Sequence, residues 1–346
     1  NGDSGRLKMD NEERKIFWDK LTSLKGDDVD GEVRELLKTL KYPPFIYRYR
    51  AVNVNAIDCL QTNKLHFSSS AYYDDPFDTY LTVNYKKIYE QLKQTENGKE
   101  GAITEFTRIC KVKGIDDKKI GQMAGIARGL SADDAMSVLI PFFKKIIQPQ
   151  IRNTSMSICF AESGINETMW LKYADQYKGF CLMYSLETER KFMISEQERC
   201  SNCQICNVGT PLYPMYYSDE KYDATKYGYN LAHNFFLRQC YPSMSNEDIL
   251  KHLDACVWEK ERVTLIKSKC HEHDKEWRII LPISCNNAML HWVPYGIILG
   301  LRTPKSDRDI IIRAAKSAGI KHFYESTIDD NGQLDAKEIT EEIKNA

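Results

Sequence analysis

Arg48 and Arg50 alternate with Tyr47 and Tyr49 in the run Phe45-Ile46-Tyr47-Arg48-Tyr49-Arg50. On extended backbone alternate residues share a face, so two guanidinium groups project together and the two tyrosines project opposite them. A pair of planar, forked donors suits a phosphate or carboxylate ligand. The structural alternative is an ion pair between one arginine and an acid of Asp74-Asp75-Pro76-Phe77-Asp78. Between these runs lie the hydroxyl groups of Ser68, Ser69 and Tyr73, placed by the sequence at the end of a neighbouring apolar strand.

A second acidic pair comes late, in Asp274-Lys275-Glu276-Trp277-Arg278-Ile279-Ile280. From Trp277 the content is aromatic and β-branched and Pro282 stops it, so Glu276 begins a strand. Asp274, two residues earlier, is expected to project from the same face if the backbone is extended there. Like charges so close would raise the pKa of one, producing a general base or a carboxylate that stabilises a cation. A solvated pair on an edge strand is the structural alternative.

The remaining cluster with ligand chemistry is Cys200, Cys203 and Cys206, a C-x-x-C-x-x-C run in polar surroundings. Its spacing suits a structural zinc, completed by a fourth ligand for which Cys270, His271 and His273 are nearest in sequence. An iron–sulfur site needs the same completion. The alternative is a loop of reduced thiols, in line with an odd total of 11 cysteines lacking disulfide-like spacing.

The elements that must position these residues read as follows. Helical periodicity over 11–40, interrupted at Gly26 and stopped by Pro43-Pro44, gives an N-terminal helical segment over 1–44. Strand 45–50, a helix at 54–62, strand 64–69 and the Pro76 turn open a core domain over 45–325. A charged helical insertion occupies about 80–150. Strands follow at 155–160, 179–184 and 213–217, with a short helix at 169–174. A long helical run over 227–267 leads to the Glu276 strand; strand 297–300, helix 307–318 and a C-terminal tail or helix at 326–346 complete the chain. Strands separated by helices of unequal length, without regular alternation, predict an α+β fold. Spacing of three puts Trp170 and Tyr173 on one apolar helix face, so both are expected in the core.

The 48 basic and 49 acidic side chains of the 346-residue chain cancel, so no global field points to duplex nucleic acid or an anionic membrane. No apolar run reaches bilayer-spanning length and no signal-peptide pattern opens the chain, so a cytoplasmic protein is expected. Asn1 to Leu7 is polar and is left out of the fold reading. The sequence has no Gly-rich phosphate loop of Walker or dinucleotide type, no readable Ser-His-Asp order and no His-x-x-x-His pair.

Taken together, the landmarks Tyr47 to Arg50, Phe67 to Ser69, Asp74 to Asp78, Met169 to Ala174, Gly179 to Cys181, Tyr217 to Asp219 and Asp274 to Arg278 resemble a bacterial domain family of unknown function. Its recurrent text is Tyr-x-Tyr-Arg, Phe-Ser-Ser, Asn-Asp-Pro-Phe-Asp, Met-Trp-x-x-Tyr-Ala, Gly-Phe-Cys, Tyr-Ser-Asp and Glu-x-Glu-Trp-Arg. Asp74 stands where that pattern has Asn, and Asp274 where it has the first Glu. More remotely, a basic strand, a serine-bearing strand and a late acidic strand in this order resemble ADP-ribosyltransferases. That resemblance implies a mixed-sheet core that binds a nicotinamide dinucleotide (NAD) and transfers ADP-ribose to a macromolecular acceptor, in bacterial or prophage defence. Under it, Arg48 or Arg50 would hold a phosphate and Ser68 and Ser69 would support the site. Tyr73 would stack on nicotinamide, and Glu276, with Asp274, would be the catalytic acid group.

Two readings compete with it. Asp74, Asp75, Asp78 and Glu276 could bind magnesium in a metal-dependent phosphoester hydrolase, although the short acids of a Pro turn also cap their own backbone amides. A non-enzymatic, defence-associated interaction module would use Trp170, Tyr173 and Trp277 as binding aromatics.

Overall fold

The computed structural model describes residues 9–112, 114–129, 131–186, 191–192, 210–240, 245, 256–281 and 288–344. Over these the fold is α+β. In chain order the strands are β1 (Phe45–Arg50), β2 (Lys64–His66), β3 (Ser68–Ser69), β4 (Met156–Ala161), β5 (Phe180–Ser185), β6 (Lys191–Phe192) and β7 (Thr210–Pro214). They continue with β8 (Tyr216–Tyr217), β9 (Ile266–Lys267), β10 (Glu276–Ile280), β11 (Met289–His291), β12 (Gly296–Leu299), β13 (His322–Ile328) and β14 (Leu334–Glu338).

The main sheet runs β14-β13-β12-β5-β1-β4-β10-β7-β6, with β3 pairing to β4. Among the described residues its strand pairs are antiparallel except β12 with β13. Side chains alternate across it. One face carries Ile46, Phe160, Leu182, Trp277, Ile279 and Ile297 into the larger apolar core. The other carries Tyr49, Ala161, Cys181 and Ile298 against Trp170. Trp170 is fully buried, its Nε1 donating to the Gly164 carbonyl at 2.9 Å, as helical spacing predicts. Tyr173, expected beside it, is instead 37% exposed at the helix end. Trp277 is fully buried and so is core rather than a binding aromatic.

Local chemistry explains the boundaries. Asp10 and Glu13 close a capping box on helix Asn11–Ser23, and Asn53 caps helix Val54–Thr62 through the Ala56 N–H. Asn63 ends that helix in the left-handed region at φ 55°. The chain then diverges from expectation. Residues 64–69 are two strands, since β2 pairs with β11 outside the main sheet while β3 joins β4. Arg48 and Arg50 do not pair with the serine strand, but β1 and β3 lie along the same edge of β4, β1 at Ala161 and β3 at Met156 and Ser157, opposite the edge taken by β10.

Residues 227–267 are likewise not one helical run. Helices cover Thr225–Cys240 and Glu259–Thr264, and Ile266–Lys267 is a strand parallel to β8. Leu265 and Ile266 are buried, and extended backbone there delivers Lys267 to the acidic strand end. At the C-terminus β13 and β14 form a hairpin, turned by Gly332 at φ 76°, on the edge of the main sheet.

The chain divides into two units: 1–79 with 152–221 and 260–346, and 80–151 with 222–259. The first holds the main sheet. The second is helical, with helices Tyr85–Val112, Asp117–Gly129, Ala132–Phe142 and Thr225–Cys240, and a π-helical turn at Phe143–Ile147. Among the described residues no helix is long and apolar enough to cross a membrane.

Gly179, at the entrance to β5, packs directly on β1. A Cβ there would lie 2.1 Å from the Arg50 carbonyl oxygen, a backbone atom that cannot swing away. Gly179→Ala is therefore expected to lower stability by about 1–3 kcal/mol through forced backbone shift, read as a lower urea midpoint. An unchanged midpoint would show that β1 and β5 separate freely at this point.

Candidate functional site

A cleft opens where β1 parts from β4. The two strands are matched at one pair, Tyr47 with Ala161, after which β1 follows β5 as far as Arg50 and Phe180. β4 pairs instead with β10, where Glu276 faces Ala161 and Arg278 faces Cys159. The resulting space is about 240 Å³. Arg48, Arg50, Ser68, Tyr73, Asp274 and Glu276 all line it. Ser69 does not: its hydroxyl donates to the Arg152 carbonyl at 2.9 Å and accepts from the Ala71 N–H, capping a 3-10 turn at Ser70–Tyr72. Cys200, Cys203 and Cys206 lie outside the described residues.

On the β1 side the two arginines are not paired with the Asp74–Asp78 turn. Neither has an ion-pair partner among the described residues, and the Arg48 Nη1 is buried without a hydrogen bond. Burial first, and then the charge of Arg48, pull the Arg50 guanidinium down to about 10. Two like charges placed together without a carboxylate are unfavourable in isolation, and an anion between them relieves both the repulsion and the unmet donor.

On the β10 side the charges interlock. Arg278 grips Asp78 through Nη1 at 2.9 Å and Nη2 at 2.5 Å, and turns its Nε to Glu276 Oε1 at 2.6 Å. Lys267 takes the other Glu276 oxygen at 2.6 Å and lies 3.3 Å from Asp78 and 3.7 Å from Asp274. Burial alone would raise the carboxyl of Glu276, but Arg278 and then Lys267 outweigh it and hold Glu276 well below the ordinary carboxylate range. The same balance, dominated by Arg278, lowers Asp78. The rise expected of close acids therefore does not occur at Glu276, because two cations stand between the carboxylates. The third carboxyl group, Asp274, lies 3.7 Å from Lys267 and 3.1 Å from His273 Nε2.

Asp274 and Glu276 do not share an extended segment. Asp274 ends a 3-10 turn at Lys269–Asp274, and Lys275 at φ 43° reverses the chain before β10. Both acids still reach the cleft, converging on Lys267. Asp75 behaves as a turn residue, its Oδ1 accepting the Phe77 N–H at 2.8 Å. Asp78 does not cap the turn but is a buried ion-pair partner.

One face of the Tyr73 ring is already taken. Arg278 covers its ring with Cζ 5.3 Å from the centroid, and its hydroxyl is bonded to Ser157 at 2.6 Å. The more exposed aromatics of the lining are Tyr72, at 85%, and Tyr173, at 37%. The turn that carries Tyr72 is fixed by Arg152, whose guanidinium donates to the carbonyls of Ser70 and Pro76 at 2.8 Å each.

Sequence reasoning missed Lys267, hidden in an expected helical run, and the role of Arg278. Arg278 had a usable signal: two residues after Glu276 on a strand, it must share that face. Among the described residues no group of three or more His, Cys, Asp and Glu side chains is placed to hold a metal ion. Comparison of the chain with protein-family models, curated proteins and solved structures finds no match.

Proposed function

We propose that the chain is an NAD-dependent ADP-ribosyltransferase, with a core of the kind that places the dinucleotide at a split in a mixed sheet. The observation that carries this reading is the polarity of one cleft. Its lining has, from the sheet face of Ile46 and Leu182, an arginine pair with no ion-pair partner among the described residues and a buried, unbonded donor, and, from the opposite face beside Ala161, a carboxylate cluster around Lys267 and Arg278. A ligand with a diphosphate and a cationic ring complements both groups.

In this reading Arg48 and Arg50 hold the diphosphate, and the Ser68 hydroxyl lies within the same lining. Glu276 cannot serve as a general acid, because Arg278 and Lys267 keep it ionised. It is suited to the opposite task. Each carboxylate oxygen accepts one bond from a cation and retains a second lone-pair position, enough to accept a ribose hydroxyl and to stabilise positive charge developing on the sugar. The metal-dependent hydrolase reading is weaker because Asp78 and Glu276 already have their charge compensated by Arg278 and Lys267.

Calorimetry with NAD tests the reading directly. Arg48→Ala and Arg50→Ala are each expected to weaken binding about 10- to 100-fold, the loss of a charge-assisted contact worth roughly 1.5–3 kcal/mol. Wild-type protein that gives no binding heat with NAD would remove the proposal.

A further inference from the structure

His271 lines the same cleft and has no part in the scheme above. Its ring lies between carboxylates from two segments. Nε2 is 3.4 Å from Asp75 Oδ2 and Nδ1 is 3.9 Å from Asp274 Oδ2, both longer than an ordinary hydrogen bond, with Asp75 the nearer. Asp75 is well fixed for an orienting role. Its Oδ1 is occupied by the Phe77 N–H at 2.8 Å and its carbonyl accepts from Arg152 at 3.3 Å, which leaves Oδ2 for the imidazole. The His271 side chain keeps 23% exposure, so a ligand group can reach it.

We propose that His271 is the general base for the acceptor, receiving its proton on Nδ1 while Asp75 orients the ring through Nε2–H. This rests on the transferase reading. As the C–N bond between ribose and nicotinamide breaks, nicotinamide leaves with the bonding pair. A lone pair of the acceptor X–H forms the new bond to the same ribose carbon, and the X–H proton passes to His271 Nδ1. The imidazolium then releases it to water, so the sum is NAD⁺ and HX giving ADP-ribosyl-X, nicotinamide and H⁺.

Several of the neighbours do not suit this role. Burial pushes the Tyr73 and Tyr173 hydroxyls up, and burial followed by the charge of Glu276 takes the Cys159 thiol to about 11. Lys172 and Lys267 are raised, and Asp78 and Glu276 are lowered, so each holds one protonation state through neutrality. Imidazole is the side chain that ordinarily exchanges a proton near neutral pH. The charged groups around it are Asp75 from the turn, Asp274 and His273 from its own segment, Lys267 from β9 and Lys172 from helix Glu167–Tyr173. The His273 ring centroid is 6.3 Å away.

Two measurements test the assignment. Long-range ¹H–¹⁵N NMR of the full chain is expected to find the neutral ring protonated on Nε2 and bare on Nδ1, with the signal moved by Asp75→Asn. This readout needs no turnover. A proton on Nδ1, or indifference to Asp75→Asn, would overturn the proposal. With NAD, His271→Gln is expected to lose about 100-fold or more in kcat, to lack the acidic limb of the rate–pH profile and to regain part of its rate with added imidazole. Its NAD affinity by calorimetry should match the wild type. Unchanged kcat, or a loss of affinity equal to the loss of rate, would reject the role. Wild-type protein that binds no NAD removes the transferase reading instead, and the tautomer measurement then still decides whether Asp75 and His271 form an oriented pair.

Discussion

Asp78→Ala is expected to lower the stability of the protein by about 3–5 kcal/mol, because it strips a buried guanidinium of its two-point partner. Arg278 is 1% exposed, and Asp78 supplies two of its contacts, at 2.9 and 2.5 Å. The Glu276 contact at 2.6 Å and the Thr264 carbonyl at 2.9 Å remain, too few to satisfy the ion. Urea unfolding measures the loss, and a change below about 1 kcal/mol would mean that water reaches Arg278 in the folded chain. The network also sets an acid limb. Against the cost of burial, Arg278 and then Lys267 hold both Asp78 and Glu276 below the ordinary carboxylate range in the folded chain. Their contribution is thus complete above that range and declines as pH falls below about 4 toward the folded values. Asp78→Ala should flatten that decline.

Glu276→Gln is expected to reduce ADP-ribosyl transfer by roughly 100- to 1000-fold, the scale of removing one preorganised charge from a developing transition state. The amide keeps the shape but not the charge. It also leaves Lys267 and Arg278 sharing Asp78 and Asp274, so a fall in the urea midpoint accompanies the change. Turnover must therefore be read where circular dichroism shows the variant folded and calorimetry shows that it binds NAD. Undiminished turnover in such a sample would end the assignment of Glu276.

What the sequence made legible was local. β1 followed from its period of two, with aromatic and basic residues separated on opposite faces. Helices Asn11–Ser23 and Val54–Thr62 followed from apolar spacing and their stop signals. The cleft also gathers Arg48, Arg50, Ser68, Tyr73, Asp274 and Glu276, which their residue types had singled out. The partners of those residues were not legible. Asp78 meets Arg278 across 200 positions, a pairing fixed by sheet order rather than by any local pattern. Lys267 was lost to a helical period that ends just before it, and the left-handed Lys275 broke the extended geometry assumed for Asp274 and Glu276. Tyr173 shares a helix with Trp170, but its position at the last turn takes it out of the apolar stripe.

The buried Arg14 of helix Asn11–Ser23 reaches under the cleft from the start of the described chain. It donates to the Met215 and Glu276 carbonyls at 2.8 and 3.0 Å and to the Glu162 carboxylate at 2.6 Å, and Trp277 shares that carboxylate at 2.6 Å. The strand end that presents Glu276 is therefore anchored by a residue more than 30 positions upstream of β1. A shortened chain beginning at Phe45 would carry every residue of the cleft lining and still lack its keystone. Boundaries for expression, crystallisation or fusion must keep this helix, and a partner that pried it away would dismantle the pocket from below without touching its mouth.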